Sequence, residues 1–206
     1  TPTAGKTVGF NSSANGLEAT LSGGAMTFIK KLTASSSGTL SFVNGASSVV
    51  LDSTYKEYLF TFKDIHAGTD NVFLQFNGSI DSGSNYNVTK TTTTFQAQNL
   101  EDDSGTELGY VTSWDLAQST ASQYIIGDLG NGNDESGAGT LRLFNPSSTT
   151  FVKHFIATSQ HMTNNERSRN SFTAGYLNTT SAVDAIQFSM SSGNIDAGDI
   201  CLYGIL

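Results

Sequence analysis

The sequence predicts an all-β protein, an antiparallel β-sandwich of jelly-roll-like form that follows an extended N-terminal arm. Short runs of alternating apolar and polar residues recur from residue 26 to the C-terminus, which is typical of half-buried strands. Charged residues are only 14% of the chain, below the ~25% of typical domains. Ser, Thr, Asn and Gly replace them, which favours strands and turns over helices. A closed barrel is the alternative architecture.

Residues 1–25 and 26–206 are predicted to form different units. The first 25 residues are rich in Gly, Ser, Ala and Asn and weakly hydrophobic, so we interpret them as an extended arm that orders against a neighbouring subunit. A flexible terminus is the alternative. The remaining residues form a single sandwich domain, since a chain of 206 residues can bury roughly 70% of its unfolded surface without disulfides.

Five strands are predicted in the first half of the domain. They lie in the runs MTFIKKLT, GTLSFVNG, YKEYLFTFKDIHA, DNVFLQFNGSI and YNVTKTTTTFQAQ. In the third run, the alternate residues Phe60 and Phe62 share one face. In the fourth, Phe73 and Phe76 are placed together on the face opposite the aliphatic residues. Residues 68–70, between these two runs, are predicted as a hairpin turn.

The second half of the domain is predicted to contain two irregular segments and six strands. EDDSGTELGY is interpreted as an acidic loop and SWDLAQSTAS as a segment with a short helical turn. The predicted strands are QYIIGDLG, GTLRLF, TFVKHFIATSQHM, FTAGYLN, AVDAIQFSMSSG and DICLYGIL, which makes about eleven in all. NGNDESGAG and NNERSRNS are interpreted as loops. GTLRLF and TFVKHFIATSQHM form a hairpin around Asn145-Pro146, with one face of the longer strand buried and the other partly covered, as by a second subunit.

The composition argues against several classes of partner. The net charge of −8 and the scattered distribution of ten basic residues argue against a nucleic-acid interface, which needs clustered Lys and Arg. No apolar stretch is long enough for a transmembrane helix, so no membrane insertion is expected. The lone Cys201 cannot form an intrachain disulfide, and we expect it to be buried as a small apolar side chain. No phosphate-binding glycine loop is present, and no cofactor is expected.

The sequence predicts no enzyme and no catalytic or metal-binding residues. His66, His154 and His161 are interpreted as surface or rim residues, since strand spacing does not bring them together. Neighbouring carboxylates occur in the glycine-bearing segments 101–105 and 128–137, where nothing holds two acids at a fixed separation. A structural calcium ion in 128–137 is an open alternative, although the calcium-loop pattern is not met.

One constellation is a candidate for glycan or receptor contact. Tyr110, Trp114 and Asp115 lie close together in the sequence, with Gln118 nearby. An aromatic ring that stacks on a sugar, with carboxylate and amide groups for its hydroxyls, is the usual composition of a carbohydrate site. The competing interpretation is that a lone tryptophan is a core or loop anchor.

Three segments resemble a known family. They are STYKEYLFTFKDIHAGTDNVFLQF, LRLFNPSSTTFVKHFIATS and IQFSMSSGNIDAGDICLYGIL. They are similar to small virion structural proteins of tailed bacteriophages, especially marine phages, whose chains end on the pattern SGNIxxGxIxLYGI. The resemblance extends from about residue 39 onward, and residues 1–25 carry no family signature.

The resemblance implies a role in the particle, not a reaction. It implies a virion structural protein of a tail fibre, a tail appendage or the capsid surface, which acts in particle assembly and host-surface attachment. The expected partners are further copies of the chain, with a trimer favoured, other virion proteins and a host-surface glycan. The expected location is the virion, after synthesis in the host cytoplasm. The alternative is a carbohydrate-binding module or lectin of a secreted bacterial protein.

Overall fold

The computed structural model describes residues 7–10, 13, 15–20 and 25–206, and its regular structure over these residues is entirely β-strand. Accordingly, this part of the chain contains no helix that could span a membrane. The strands are β1 Thr7–Phe10, β2 Leu17–Thr20, β3 Met26–Thr33, β4 Leu40–Val43, β5 Glu57–Ala67, β6 Val72–Ser79, β7 Lys90–Leu100, β8 Thr106–Tyr110, β9 Gln123–Leu129, β10 Gly137–Phe144, β11 Lys153–Met162, β12 Arg167–Leu177, β13 Ala185–Met190 and β14 Ile195–Ile205.

Two antiparallel sheets form the sandwich. The larger sheet has eight strands in the order β3-β14-β5-β10-β11-β12-β7-β8, and the smaller has four in the order β4-β13-β6-β9. The predicted antiparallel β-sandwich is therefore confirmed. Both sheets are open at their edges, so the alternative of a closed barrel is wrong. The strand order does not by itself establish jelly-roll connectivity, which stays a prediction.

The core lies between the two sheets, where aromatic rings pack among a larger number of aliphatic side chains. Phe60 and Phe62, on the same face of β5 as predicted, are 0% and 3% exposed. The Phe60 ring meets Phe42 and Phe188 of the smaller sheet edge-to-face, with centroids 5.3 and 5.4 Å apart. Such pairs add about 0.5–1.5 kcal/mol each to the free energy gained from burial.

The alternation predicted for β6 is wrong at one residue. Phe76 is buried in the core together with Val72 and Leu74, whereas Phe73 is on the opposite face and half-buried. The reason is the two-residue period of a strand, which places positions 72, 74 and 76 on one face.

The predicted hairpin turn at residues 68–70 is also wrong. β5 belongs to the larger sheet and β6 to the smaller, so this connection carries the chain across the sandwich. Both strands bury one apolar face, and local alternation is the same whether two strands pair edge to edge or pack face to face.

The hairpin of β10 and β11 is confirmed. Leu141 is opposite Ala157 in an antiparallel register. The turn is closed by the backbone N–H of Ser148, which donates to the carbonyl of Asn145 at 3.0 Å, with Pro146 at the position where its fixed φ suits a β-turn.

Three segments differ from the predictions. The supposed acidic loop contains β8, which pairs with β7 at the sheet edge. No residue of β8 is buried, so its sequence lacks the apolar alternation that predicts a strand. Residues 113–122 form turns and bends without a helical turn, and β12 begins inside the predicted polar loop. In the predicted arm, β1 and β2 pair with each other in a two-stranded antiparallel sheet. The predicted arm also includes residues 1–6, 11, 12, 14 and 21–24, which lie outside the described residues.

Candidate functional site: the outer face of the larger sheet

The outer face of the larger sheet is the surface that points away from the smaller sheet. It is formed by alternate residues of the eight strands, and on β5, β10, β11 and β12 most of the residues between them are buried in the sandwich. An ordinary two-layer sandwich presents polar residues on such a surface. Here several large apolar side chains are exposed on it, namely Phe28, Phe95, Leu108, Tyr110, Ile156 and Phe172.

An aromatic row crosses one end of the outer face. Register places Tyr110 of β8 opposite Phe95 of β7, and Phe95 opposite Phe172 of β12. The rings of Phe95 and Phe172 are stacked, with centroids 4.8 Å apart and planes 8° from parallel. These three rings are between 38% and 54% exposed. The stacked pair of Phe95 and Phe172 is therefore preorganised and accessible to a partner.

A second apolar row runs beside the first. It includes Ile156 of β11, which is 48% exposed, opposite Ala174 of β12. At the far end of the sheet, Phe28 and Tyr203 meet edge-to-face at 5.6 Å. Apolar surface therefore occurs at both ends of the same face.

A groove of about 490 Å³ lies on the outer face beside Ile156. Its wall includes Thr91, His154 and Tyr176, and the rings of His154 and Tyr176 are 6.1 Å apart. Gly175 is part of its lining, and a Cβ atom there would lie 2.5 Å from the Thr91 carbonyl oxygen. Glycine is therefore required for the close approach of β7 and β12 beneath the groove.

The centre of the outer face is poor in charge. On β10, β11, β12 and β7, which are contiguous in the sheet, Arg142 is the one formally charged residue at the outward positions. Its Nη1 lies 3.4 Å from Glu57 Oε1 on the neighbouring strand β5. The pair is partly exposed, so it contributes little stability, but it neutralises the charge locally.

Trp114 does not supply an exposed platform. Its ring is 5% exposed and packs edge-to-face against Phe73 and Tyr124 of the smaller sheet, at 5.6 and 6.1 Å. A Cβ atom at Gly127 would overlap the indole. Trp114 therefore anchors its loop against the side of the smaller sheet that faces away from the core, which agrees with the competing interpretation of a core or loop anchor.

Tyr110 and Asp115 lie at the surface, where the Tyr110 hydroxyl donates to Asp115 Oδ2 at 2.8 Å. The structure thus brings these two side chains together and separates them from the buried indole of Trp114. Their contact with a glycan or receptor stays a prediction.

The sequence did not reveal a polar network at the end of the groove. Gln118 Nε2 donates to Thr91 Oγ1 at 2.6 Å and to the Tyr176 hydroxyl at 3.4 Å. Asn178 Nδ2 donates to Gln118 Oε1 at 2.6 Å. These residues come from different segments of the chain, so only the sheet register brings an aromatic ring together with amides and a hydroxyl.

The three histidines lie in different environments. His154 is exposed on the outer face, as predicted, and His66 is half-buried with Nε2 3.0 Å from the Gly132 carbonyl oxygen. His161 is only 2% exposed, so the prediction of a surface or rim position is wrong for it. Burial lowers its pKa to about 4, with a smaller contribution from the positive charge of Arg169.

The segment that resembled a calcium loop has two of its three carboxylates, Asp128 and Glu135, hydrogen-bonded within the protein. Asp128 Oδ2 accepts a hydrogen bond from Arg169 Nη1, and Glu135 accepts one from the backbone N–H of Gly132. Among the described residues, no cluster of three or more His, Cys, Asp or Glu is arranged to hold a metal ion. A calcium ion here stays an open hypothesis.

Two buried lysines were not predicted. Lys90 and Lys153 are both 0% exposed and lie on either side of Leu177 in the register of β7, β12 and β11. Lys90 Nζ donates to Asn77 Oδ1 and to the Val88 carbonyl, both at 2.7 Å, and burial lowers its pKa to about 7. Burial also lowers the pKa of Lys153. Both ammonium groups donate to uncharged oxygens within the fold, so we assign them a structural role.

Cys201 is 4% exposed, which confirms the predicted burial. Comparisons with protein-family models, with curated proteins and with solved structures found no match to this chain.

Proposed function

We propose that this chain is a bacteriophage virion structural protein. It is a non-enzymatic β-sandwich module of a tail fibre, a tail appendage or the capsid surface, and it acts in particle assembly and in host-surface attachment. The observation that carries the proposal is the outer face of the larger sheet, which combines exposed aromatic rings with a nearly uncharged centre. Contiguous apolar surface of this kind marks an interaction site.

Two further features support an assembly role. The core between the sheets already contains the buried phenylalanines, so the fold does not need the outer face for its own core. The segments that resemble phage virion proteins include β5, the β10–β11 hairpin and β14, which are neighbours in the larger sheet, together with most of β6 and β13 of the smaller sheet. The proposed partners are further copies of the chain, with a trimer favoured, together with other virion proteins and a host glycan.

Mass spectrometry of purified virions tests the proposal. Particles are banded on a density gradient and treated with protease-free nuclease, and peptides of this chain are quantified against known structural proteins. The expected result is a fixed copy number per particle across the band. Peptides that are found in the infected lysate but not in the particle band would contradict the proposal.

A carbohydrate-binding module or lectin is the second candidate. It is favoured by the groove network, in which Tyr176 lies beside Gln118 and Thr91. A glycan array with wild type and Tyr176→Ala tests it, and Tyr203→Ala, at the other end of the same face, is the matched control. A lectin requires a glycan signal that Tyr176→Ala abolishes and the control keeps. The absence of any signal with the wild type would exclude this function.

A further inference from the structure

We propose that the outer face of the larger sheet is the surface on which a second copy of this chain docks. The inference rests on the proposed function for its biological setting and goes further by assigning the occupant of the face. It is supported independently by the size of the face, by its charge and by its shape.

The face is large enough for a stable interface between two copies. Eight strands spaced ~4.8 Å apart span roughly 38 Å, and strands of this length extend roughly 30 Å along the chain direction. The resulting area of roughly 1,000 Å² per copy exceeds the ~800 Å² that one partner contributes to a standard protein–protein interface. Two twisted sheets can pack face to face with their strands nearly aligned.

The charge distribution favours a like copy. The chain carries a net charge of −8, which would oppose self-association through most of its surface. On β10, β11, β12 and β7 of the outer face, Arg142 is the one formal charge, and it is paired with Glu57 of β5 at 3.4 Å. On the other strands, Lys31 of β3 and Asp199 of β14 form a pair at 3.1 Å, and the exposed Lys63 of β5 is opposite Asp199 in the register. Two copies can therefore meet through this face without bringing unpaired like charges together, whereas a basic partner would gain little from it.

The face has features of opposite shape. It carries a concave element, the groove beside Ile156, and convex ones, the stacked rings of Phe95 and Phe172 and the exposed Phe28. A two-fold contact presents the same patch on both copies, so one copy can supply rings to the groove of the other and receive rings in return. Such a contact joins copies in pairs, and the trimer proposed above would be held by a different surface. Aromatic side chains in pockets commonly dominate the energy of such interfaces.

The test measures the mass of the purified full chain in solution. Sedimentation velocity and light scattering are recorded from about 1 to 100 μM, concentrations chosen to span micromolar affinities. The wild type is expected at two or more times its 21.8 kDa chain mass. Ile156→Glu places a carboxylate in the contact and should weaken association at least ~10-fold. A wild type that stays monomeric throughout overturns the proposal.

Ile80→Glu is the matched control. Ile80 is 46% exposed, close to the 48% of Ile156, but it follows β6 of the smaller sheet. It should associate like the wild type. Equal association by wild type and Ile156→Glu, or equal weakening by both glutamates, overturns the assignment. If circular dichroism shows that Ile156→Glu is unfolded, Thr93→Arg replaces it, because exposed Thr93 lines the same groove and arginine would fill it.

The outcomes separate this inference from the proposed function. A chain that self-associates through the outer face but is missing from virions supports the inference and refutes the virion assignment. A chain that is monomeric in solution but present in virions at fixed copy number refutes the inference and supports the virion assignment, because another virion protein would then cover the face.

Discussion

Replacing Lys90 by Met should remove part of the pH dependence of stability between about 7 and 10. The ammonium of Lys90 is fully buried and donates to Asn77 and Val88 without a carboxylate partner. Methionine has a similar length and carries no charge. The variant therefore isolates the cost of keeping this ammonium inside the sandwich.

The expected magnitude follows from the pKa. Burial lowers the pKa of Lys90 from 10.5 to about 7. Between these pH values the unfolded chain binds close to one more proton than the folded chain, so the free energy of unfolding rises with pH by ~1.4 kcal/mol per unit. From pH 7.5 to 9, the wild type should gain about 2 kcal/mol relative to Lys90→Met. The carbonyl of Val88 loses its donor in the variant, which adds a pH-independent cost of about 1–3 kcal/mol.

Urea unfolding followed by Trp114 fluorescence, at several pH values between about 6 and 10 and at constant ionic strength, measures the difference. Lys63→Met, which removes an exposed lysine, is the control and should keep the wild-type pH dependence. A difference between wild type and Lys90→Met that does not change with pH would refute the reasoning, since a pH-independent difference means that the buried amine does not titrate in this window.

Three further predictions concern buried side chains and the close approach of strands beneath the groove. Trp114→Ala should lower the free energy of unfolding by about 3–5 kcal/mol, measured by thermal and urea unfolding, because the buried indole fills the space against Phe73. Gly175→Ala should lower the free energy of unfolding by about 1–3 kcal/mol in the same assay, since its Cβ atom would lie 2.5 Å from a backbone oxygen. Gly38→Ala should be nearly neutral, because the nearest atom to a Cβ there is 3.8 Å away. The pKa of His161 is lowered to about 4, so the free energy of unfolding should fall as the pH drops from 6.5 towards 4. In acid titrations, His161→Gln should remove about 3 kcal/mol of that fall. An acid titration of His161→Gln that matches the wild type, or equal effects of Gly175→Ala and Gly38→Ala, would contradict these predictions.

The sequence predicted what depends on local alternation. The buried face of β5, with Phe60 and Phe62, and the hairpin around Pro146 follow from the two-residue period and from turn chemistry. Sheet membership is not local, because two strands that pack across the sandwich show the same alternation as two strands that pair. The connection at 68–70 was therefore misread, and β8 was missed because an exposed edge strand has no buried face.

The candidate site could be predicted only in part. The exposed face of β11, with Ile156, was expected to be partly covered by a second subunit, but the stacking of Phe95 on Phe172 requires the register of β7 with β12. Trp114 could not be assigned to the core or the surface from composition, since its packing partners lie in distant strands. Burial of Lys90 was equally invisible, because lysine is rarely buried without a charged partner.

A reconstruction of the virion at side-chain resolution tests the central claim most directly. The account predicts density for this chain in which the outer face of the larger sheet, including Phe95, Ile156 and Phe172, is covered by another protein chain. Density in which this face is bare to solvent while the subunit is held through another surface would contradict it.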